Sequence, residues 1–155
     1  MMCVTLQPVT RVNWREALEL SVEPGQQHFV AEVVPPVAIA LAKAYIQPRG
    51  WPVLPHAIYD GLVMVGFFNL TYEPGSTEDY WLQHFFIDRR YQRRGYGAAA
   101  LQALVELLKA QFPACRSLQL SVHRENQPAR RLYEKSGFVQ AERHVDGEPV
   151  YRLGL

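Results

Sequence analysis

The chain has 155 residues, of which 48% are apolar and 20% charged, and its formal net charge is +1. That length suits one domain, residues 1–155, with a core of its own, and the composition excludes a disordered chain. A charge so near zero gives no overall pull toward nucleic acid or a membrane surface, so an electrostatic partner must meet a local patch.

The first residues, "MMCVTLQPVT", lack the basic-then-apolar order of a signal peptide, and no apolar run approaches the roughly 20 residues of a membrane span. Cys3 and Cys115 match no CxxC spacing. A reduced, cytoplasmic protein without a metal site is expected.

In chain order, "CVTLQPV" alternates as a half-buried strand does. Asn13 followed by Glu16 fits a capping box opening a short helix through "WREALEL". Residues 21 to 56 are rich in proline and read as irregular, except where Pro35 and Pro36 could start a helix with Val37, Leu41 and Tyr45 on its apolar face. "AIYDGLVMVGFFNLTY" reads as two strands joined at Asp60-Gly61, a hairpin signal. The loop "EPGSTED" leads into the apolar strand "YWLQHFFI", interrupted by Gln83 and His84.

After "IDRRYQRRGYG" comes a helix with Leu101, Leu104, Val105 and Leu108 on one face. "SLQLSV" is a further strand. "NQPARRLYEKSG" reads as a helix with Asn126 as its cap, proline in its first turn and Gly137 at its stop. A hairpin turning at Asp146-Gly147 ends the chain. Helices interleaved with strands in this order give an α/β or α+β fold.

The turn carries four arginines, Arg89, Arg90, Arg93 and Arg94, and then two glycines. A helix N-terminus offers unpaired N–H groups and a partial positive charge, which favour phosphate. Gly95 and Gly97 lack a Cβ, so a pyrophosphate can approach the main chain, and nearby arginines can pair with its oxygens. "GYGAAA" also satisfies G-x-G-x-x-A, the dinucleotide pattern. That pattern normally follows a first strand and is answered by an acid about 20 residues on, whereas here it comes late and the first acid on the next strand's side is Glu125.

"QRRGYG" matches the turn Q/R-x-x-G-x-G/A, and with "NQPARRLYEKSGF" the chain resembles the GNAT superfamily of acyl-CoA-dependent N-acetyltransferases over residues 57 to 139. The resemblance implies a mixed, mostly antiparallel sheet flanked by helices, with acetyl-CoA as co-substrate. It implies that backbone amides of Arg93, Arg94, Gly95, Tyr96, Gly97 and Ala98 hold the pyrophosphate, with Gln92 at the first motif position. Main-chain groups near Phe85, Phe86 and Ile87 would meet the pantetheine arm on a strand splayed from its neighbour. Asn126 would contact that arm, and Tyr133 would face the thioester sulfur and protonate the departing thiolate.

Several family members carry a base at the place held here by Gln83, which cannot take a proton, and strand alternation would send His84 to the opposite face. The base is therefore unassigned.

"ELSVEPGQQHFVA" and "YWLQHFFIDRRYQRRGYG" resemble the bacterial spermine/spermidine acetyltransferase group, which implies a primary amine on a small cationic acceptor such as a polyamine. Glu23, Glu32, Glu73, Glu78 and Asp79 are candidates to attract it, and Phe29, Trp51 and Trp81 to line its slot. Amino acids or peptide N-termini are the alternative acceptors. A homodimer is compatible with the sequence. A silent acyl-CoA-binding module would not need Tyr133. A nucleic-acid binder would leave the glycines unexplained and lacks an aromatic-interleaved basic surface.

Overall fold

A computed structural model describes residues 2–155. Its seven strands are β1 (Val4–Pro8), β2 (Val53–Asp60), β3 (Val63–Tyr72), β4 (Tyr80–Ile87), β5 (Ser117–Ser121), β6 (Val139–Val145) and β7 (Glu148–Gly154). The helices are α1 (Trp14–Leu18), α2 (Gln27–Val30), α3 (Pro36–Ile46), α4 (Tyr96–Gln111) and α5 (Gln127–Lys135), with 3₁₀ turns at Pro24–Gln26 and Arg89–Tyr91. One sheet runs in the order β1-β2-β3-β4-β5-β7-β6, with every pairing antiparallel except β4 with β5. The fold is α/β with a mixed, mostly antiparallel sheet.

Alternation along the strands gives the sheet two apolar faces. One face packs Phe68, Leu70, Leu82 and Leu120 with Leu101, Leu104 and Leu108 of α4 and with Tyr133 of α5. The other packs Ala57, Phe67 and Phe86 with Ala17 of the α1 region and with Val37 and Ala40 of α3. Both clusters are tied to β4, the strand at the centre of the sheet.

Three local expectations change. Asn13 does not form a capping box. Its Oδ1 accepts from Thr10 N–H at 2.8 Å, and its Nδ2 donates to Pro8 O and Tyr59 Oη, so the side chain pins the start of α1 to the sheet. A capping box forms instead at Glu23 and Gln26. On α3 the buried residues are Pro36, Val37 and Ala40, and Tyr45 lies a step past that face with 91% of its surface exposed. The stretch 21–56 is also more regular than its prolines suggest, since β2 begins at Val53.

Candidate active site

Parallel pairing of β4 with β5 stops after two residue pairs, Tyr80 with Leu118 and Trp81 with Gln119. Beyond them the strands diverge, and the β5-facing edge of β4 is left with unpaired main-chain groups. Such an edge can accept an extended ligand as an added strand. Phe85, Phe86 and Ile87 lie on this open stretch. On the other edge, Phe86 and Ile87 stay in register with Phe67 and Gly66 of β3.

β4 also carries a bulge. Phe67 is opposite Phe86 while Asn69 is opposite Gln83, so two steps on β3 answer three on β4, and His84 takes the left-handed conformation with φ 53°. The bulge overturns the alternation expected for Gln83 and His84: both line the same cavity. His84 Nδ1 donates to Val30 O at 2.8 Å, which leaves Nε2 as an acceptor 3.1 Å from Lys43 Nζ. Burial lowers the His84 pKa, and the Lys43 charge lowers it further. His84 is therefore neutral at pH 7, with its accepting nitrogen already engaged.

The cavity, about 350 Å³, passes through the β4–β5 opening. Phe85, Asn126 and Tyr133 line its α5 side, and Phe29, Lys43 and Trp51 line its α3 side. Tyr133 is 7% exposed, with its ring 6.3 Å from Phe85 and 5.6 Å from Phe138. Burial raises its pKa well above the usual phenol value, so the phenol keeps its proton at any physiological pH. Asn126 Oδ1 caps α5 by accepting from Ala129 N–H at 3.4 Å. Its Nδ2 makes no hydrogen bond among the described residues, so one side chain serves both the cap and the cavity wall.

At the end of β4, the turn before α4 holds two left-handed residues, Arg93 (φ 64°) and Gly95 (φ 89°). Ala99 N–H returns to Gly95 O at 3.2 Å, but the N–H groups from Arg93 to Ala98 find no partner among the described residues. Six unpaired donors at a helix N-terminus form a cradle that suits a pyrophosphate. Gly97 has a second role beside its N–H in the cradle: a Cβ there would stand 2.9 Å from Leu132 Cδ2, so its bareness leaves room for α5 against α4.

Gln92 braces this turn. Its Nε2 donates to Ile87 O at 2.9 Å and to Gln26 Oε1 at 3.0 Å, while Gln26 Nε2 donates back to Gln92 Oε1 at 3.2 Å. Arg90 is not free for phosphate, because its Nε lies 2.8 Å from buried Asp88. Burial pushes the Asp88 carboxyl up, but Arg90 and the N–H groups of Ser21 and Arg90 outweigh it and hold the pKa below normal. Arg93 and Arg94 remain exposed.

Several expected acceptor residues stand elsewhere. Trp81 is buried under the Arg143 guanidinium and does not line the cavity. Glu23 caps a 3₁₀ turn. Glu78 is taken up by Ser117 and Arg152, and Asp79 bonds with Ser76. Glu32 and Glu73 are also outside the lining. The carboxylates that do line it are Asp146 and Glu148, at the turn between β6 and β7. Asp146-Gly147 reads in sequence only as a turn signal, and nothing local places that turn against β5. Lys43 and Arg49 lie hidden in the proline-rich stretch for the same reason.

The family model described as acetyltransferase (GNAT) family matches residues 14–138. A spermine/spermidine N(1)-acetyltransferase of Bacillus subtilis (strain 168) is 31% identical over 150 residues, covering 96% of this chain and 97% of that protein. An N-alpha-acetyltransferase of Sulfurisphaera tokodaii is 33% identical over 129 residues, 81% of this chain and 66% of that protein. The crystal structure of spermidine N-acetyltransferase from Vibrio cholerae, in complex with CoA and spermine, superimposes with a TM-score of 0.72 at 17% identity. That alignment covers 98% of this chain and 94% of the other, and at such identity it speaks for the fold alone.

Proposed function

We propose that this chain, which belongs to the acetyltransferase (GNAT) family, moves the acetyl group of acetyl-CoA onto the primary amine of a small molecule entering the β4–β5 opening. The observation that carries this reading is the meeting of three features in one place: the cradle of unpaired N–H groups, the splayed strand edge and the buried phenol.

When bound, acetyl-CoA supplies an activated thioester. The amides from Arg93 to Ala98 would hold its phosphates, with Arg93 and Arg94 adding charge from outside. Main-chain groups around Phe85 would hold the pantetheine arm, with Nδ2 of Asn126 opposite. Tyr133 Oη holds a proton that burial makes hard to remove, so it acts chiefly as a hydrogen-bond donor that steadies negative charge on sulfur. Gln83 cannot take a proton, and the accepting nitrogen of His84 faces Lys43. Deprotonation of the amine is left to water and to the carboxylates of Asp146 or Glu148.

Two acceptor classes suit this lining. A polyamine is supported by the names of the Bacillus and Vibrio proteins and by Asp146 and Glu148. An amino acid or a peptide N-terminus is supported by Lys43 and Arg49 on the same cavity. Two free cysteines and a metabolic co-substrate suit the cytoplasm. Among the described residues no helix is long and apolar enough to cross a membrane.

Titration calorimetry with coenzyme A and with a short DNA duplex tests the binding half of the reading. Coenzyme A is expected to bind, with affinity falling as salt rises, and the duplex is not. Duplex binding at the turn without coenzyme A binding would overturn it.

A further inference from the structure

The charged residues lining the cavity are two cations and two carboxylates, and they stand on opposite halves of the splayed sheet. Lys43 belongs to α3 and Arg49 to the loop that follows it, both on the β2–β3–β4 half. Asp146 and Glu148 belong to the β6–β7 turn, on the β5 half. None of the four has an ion-pair partner, since the salt bridges among the described residues are Arg90 with Asp88 and Arg152 with Glu78.

A bare polycation is served best by a wholly negative lining, because each cation in the wall repels an ammonium. This lining sums to zero and is dipolar. At the positive pole Lys43 is half-buried, with its Nζ 3.1 Å from Nε2 of the neutral His84 ring and the Glu32 carboxylate near enough to act on that ring. The Arg49 guanidinium lies over Trp51, 5.4 Å from the ring centre, which orients its planar fork. At the negative pole, Glu148 accepts from Ser121 Oγ at 3.2 Å, which holds a carboxylate beside the mouth of β5.

We propose that the acceptor carries a carboxylate as well as its amine, as an amino acid or a short peptide does, and that Lys43 and Arg49 hold that carboxylate while Asp146 and Glu148 draw the amine. This rests on the transferase reading above and decides between its two acceptor classes. The carboxylate is the natural counterpart of a point cation beside a planar fork, and the ring of Trp51 adds an apolar surface beside Arg49 for the carbon chain.

The test uses pairs of acceptors that differ only in the carboxylate: lysine with 1,5-diaminopentane, and ornithine with 1,4-diaminobutane. Thiol release from acetyl-CoA gives kcat/KM for each member. The carboxylate-bearing member is expected to lead by about tenfold or more, the worth of one charge-assisted contact. Lys43→Met should collapse that ratio toward one, mainly by raising KM for the amino acid. Arg49→Gln, in an exposed loop where folding is not at stake, should narrow it in the same direction. A lead for the diamines, or a ratio that both variants leave untouched, overturns the carboxylate subsite while leaving the transferase standing. Silence from every amine, with acetyl-CoA bound, would instead overturn the transferase reading and this inference with it.

Discussion

Tyr133 is a phenol held 7% exposed against Phe85 and Phe138, yet it faces the cavity. Burial disfavours the phenolate, so its proton stays in place up to and beyond pH 10. Tyr133→Phe keeps the ring and removes the donor. Turnover should then fall by roughly 10²-fold while acetyl-CoA affinity is held, which rapid-mixing kinetics and calorimetry together would show. Unchanged turnover with chemistry rate-limiting would remove Tyr133 from the mechanism. The same burial fixes the shape of the pH profile. The rate should climb between about pH 7 and 9 as the acceptor amine loses its proton, with no fall from tyrosine ionisation in that window.

At the scale of elements, the two glycines of the turn do different work and can be separated. Gly95 sits at φ 89°, where an L side chain is strained by about 1–2 kcal/mol, so Gly95→Ala should distort the cradle and weaken acetyl-CoA binding. Gly97→Ala puts a methyl against Leu132, the residue before Tyr133. It should lower turnover more than it lowers acetyl-CoA affinity, because the Leu132 side chain must give way beside Tyr133. A fall in acetyl-CoA affinity as large as that in Gly95→Ala, with kcat at saturating acetyl-CoA unchanged, would mean that the methyl disturbs the cradle and not α5. Much of this was legible in the sequence: the strand "YWLQHFFI", the turn and both helices stand where periodicity and stop signals put them. The bulge was not, because it has no glycine to mark it. His84 holds its left-handed conformation through bonds to Val30 and Lys43, residues more than 40 positions away. The acidic wall was missed for a related reason, since its distance from β5 depends on β7 passing beside it.

For the whole molecule, stability should fall on the acid side through two histidines. His56 is 6% exposed, donates from Nδ1 to Leu54 O at 3.0 Å and stacks on Phe68, and burial lowers its pKa as it does that of His84. Well above pH 6.5, the ordinary histidine value, both are neutral, folded or unfolded, and add no pH dependence. Below it the unfolded chain takes up protons that the fold resists, so stability falls steadily as the pH drops from 7 toward 5. Urea titrations at pH 7 and pH 5 would measure this, and His56→Gln should shrink the difference.

The claim at the centre remains that one opening, between β4 and β5, binds acetyl-CoA and passes its acetyl group to an amine. The most direct measurement follows free thiol from acetyl-CoA in the presence of lysine, ornithine, spermidine and simple diamines, with mass spectrometry of the amine. Thiol release that depends on the amine, matched by the mass gain of one acetyl group on it and much reduced in Tyr133→Phe, is the expected result. Thiol release indifferent to every amine, with no acetylated product, would contradict it.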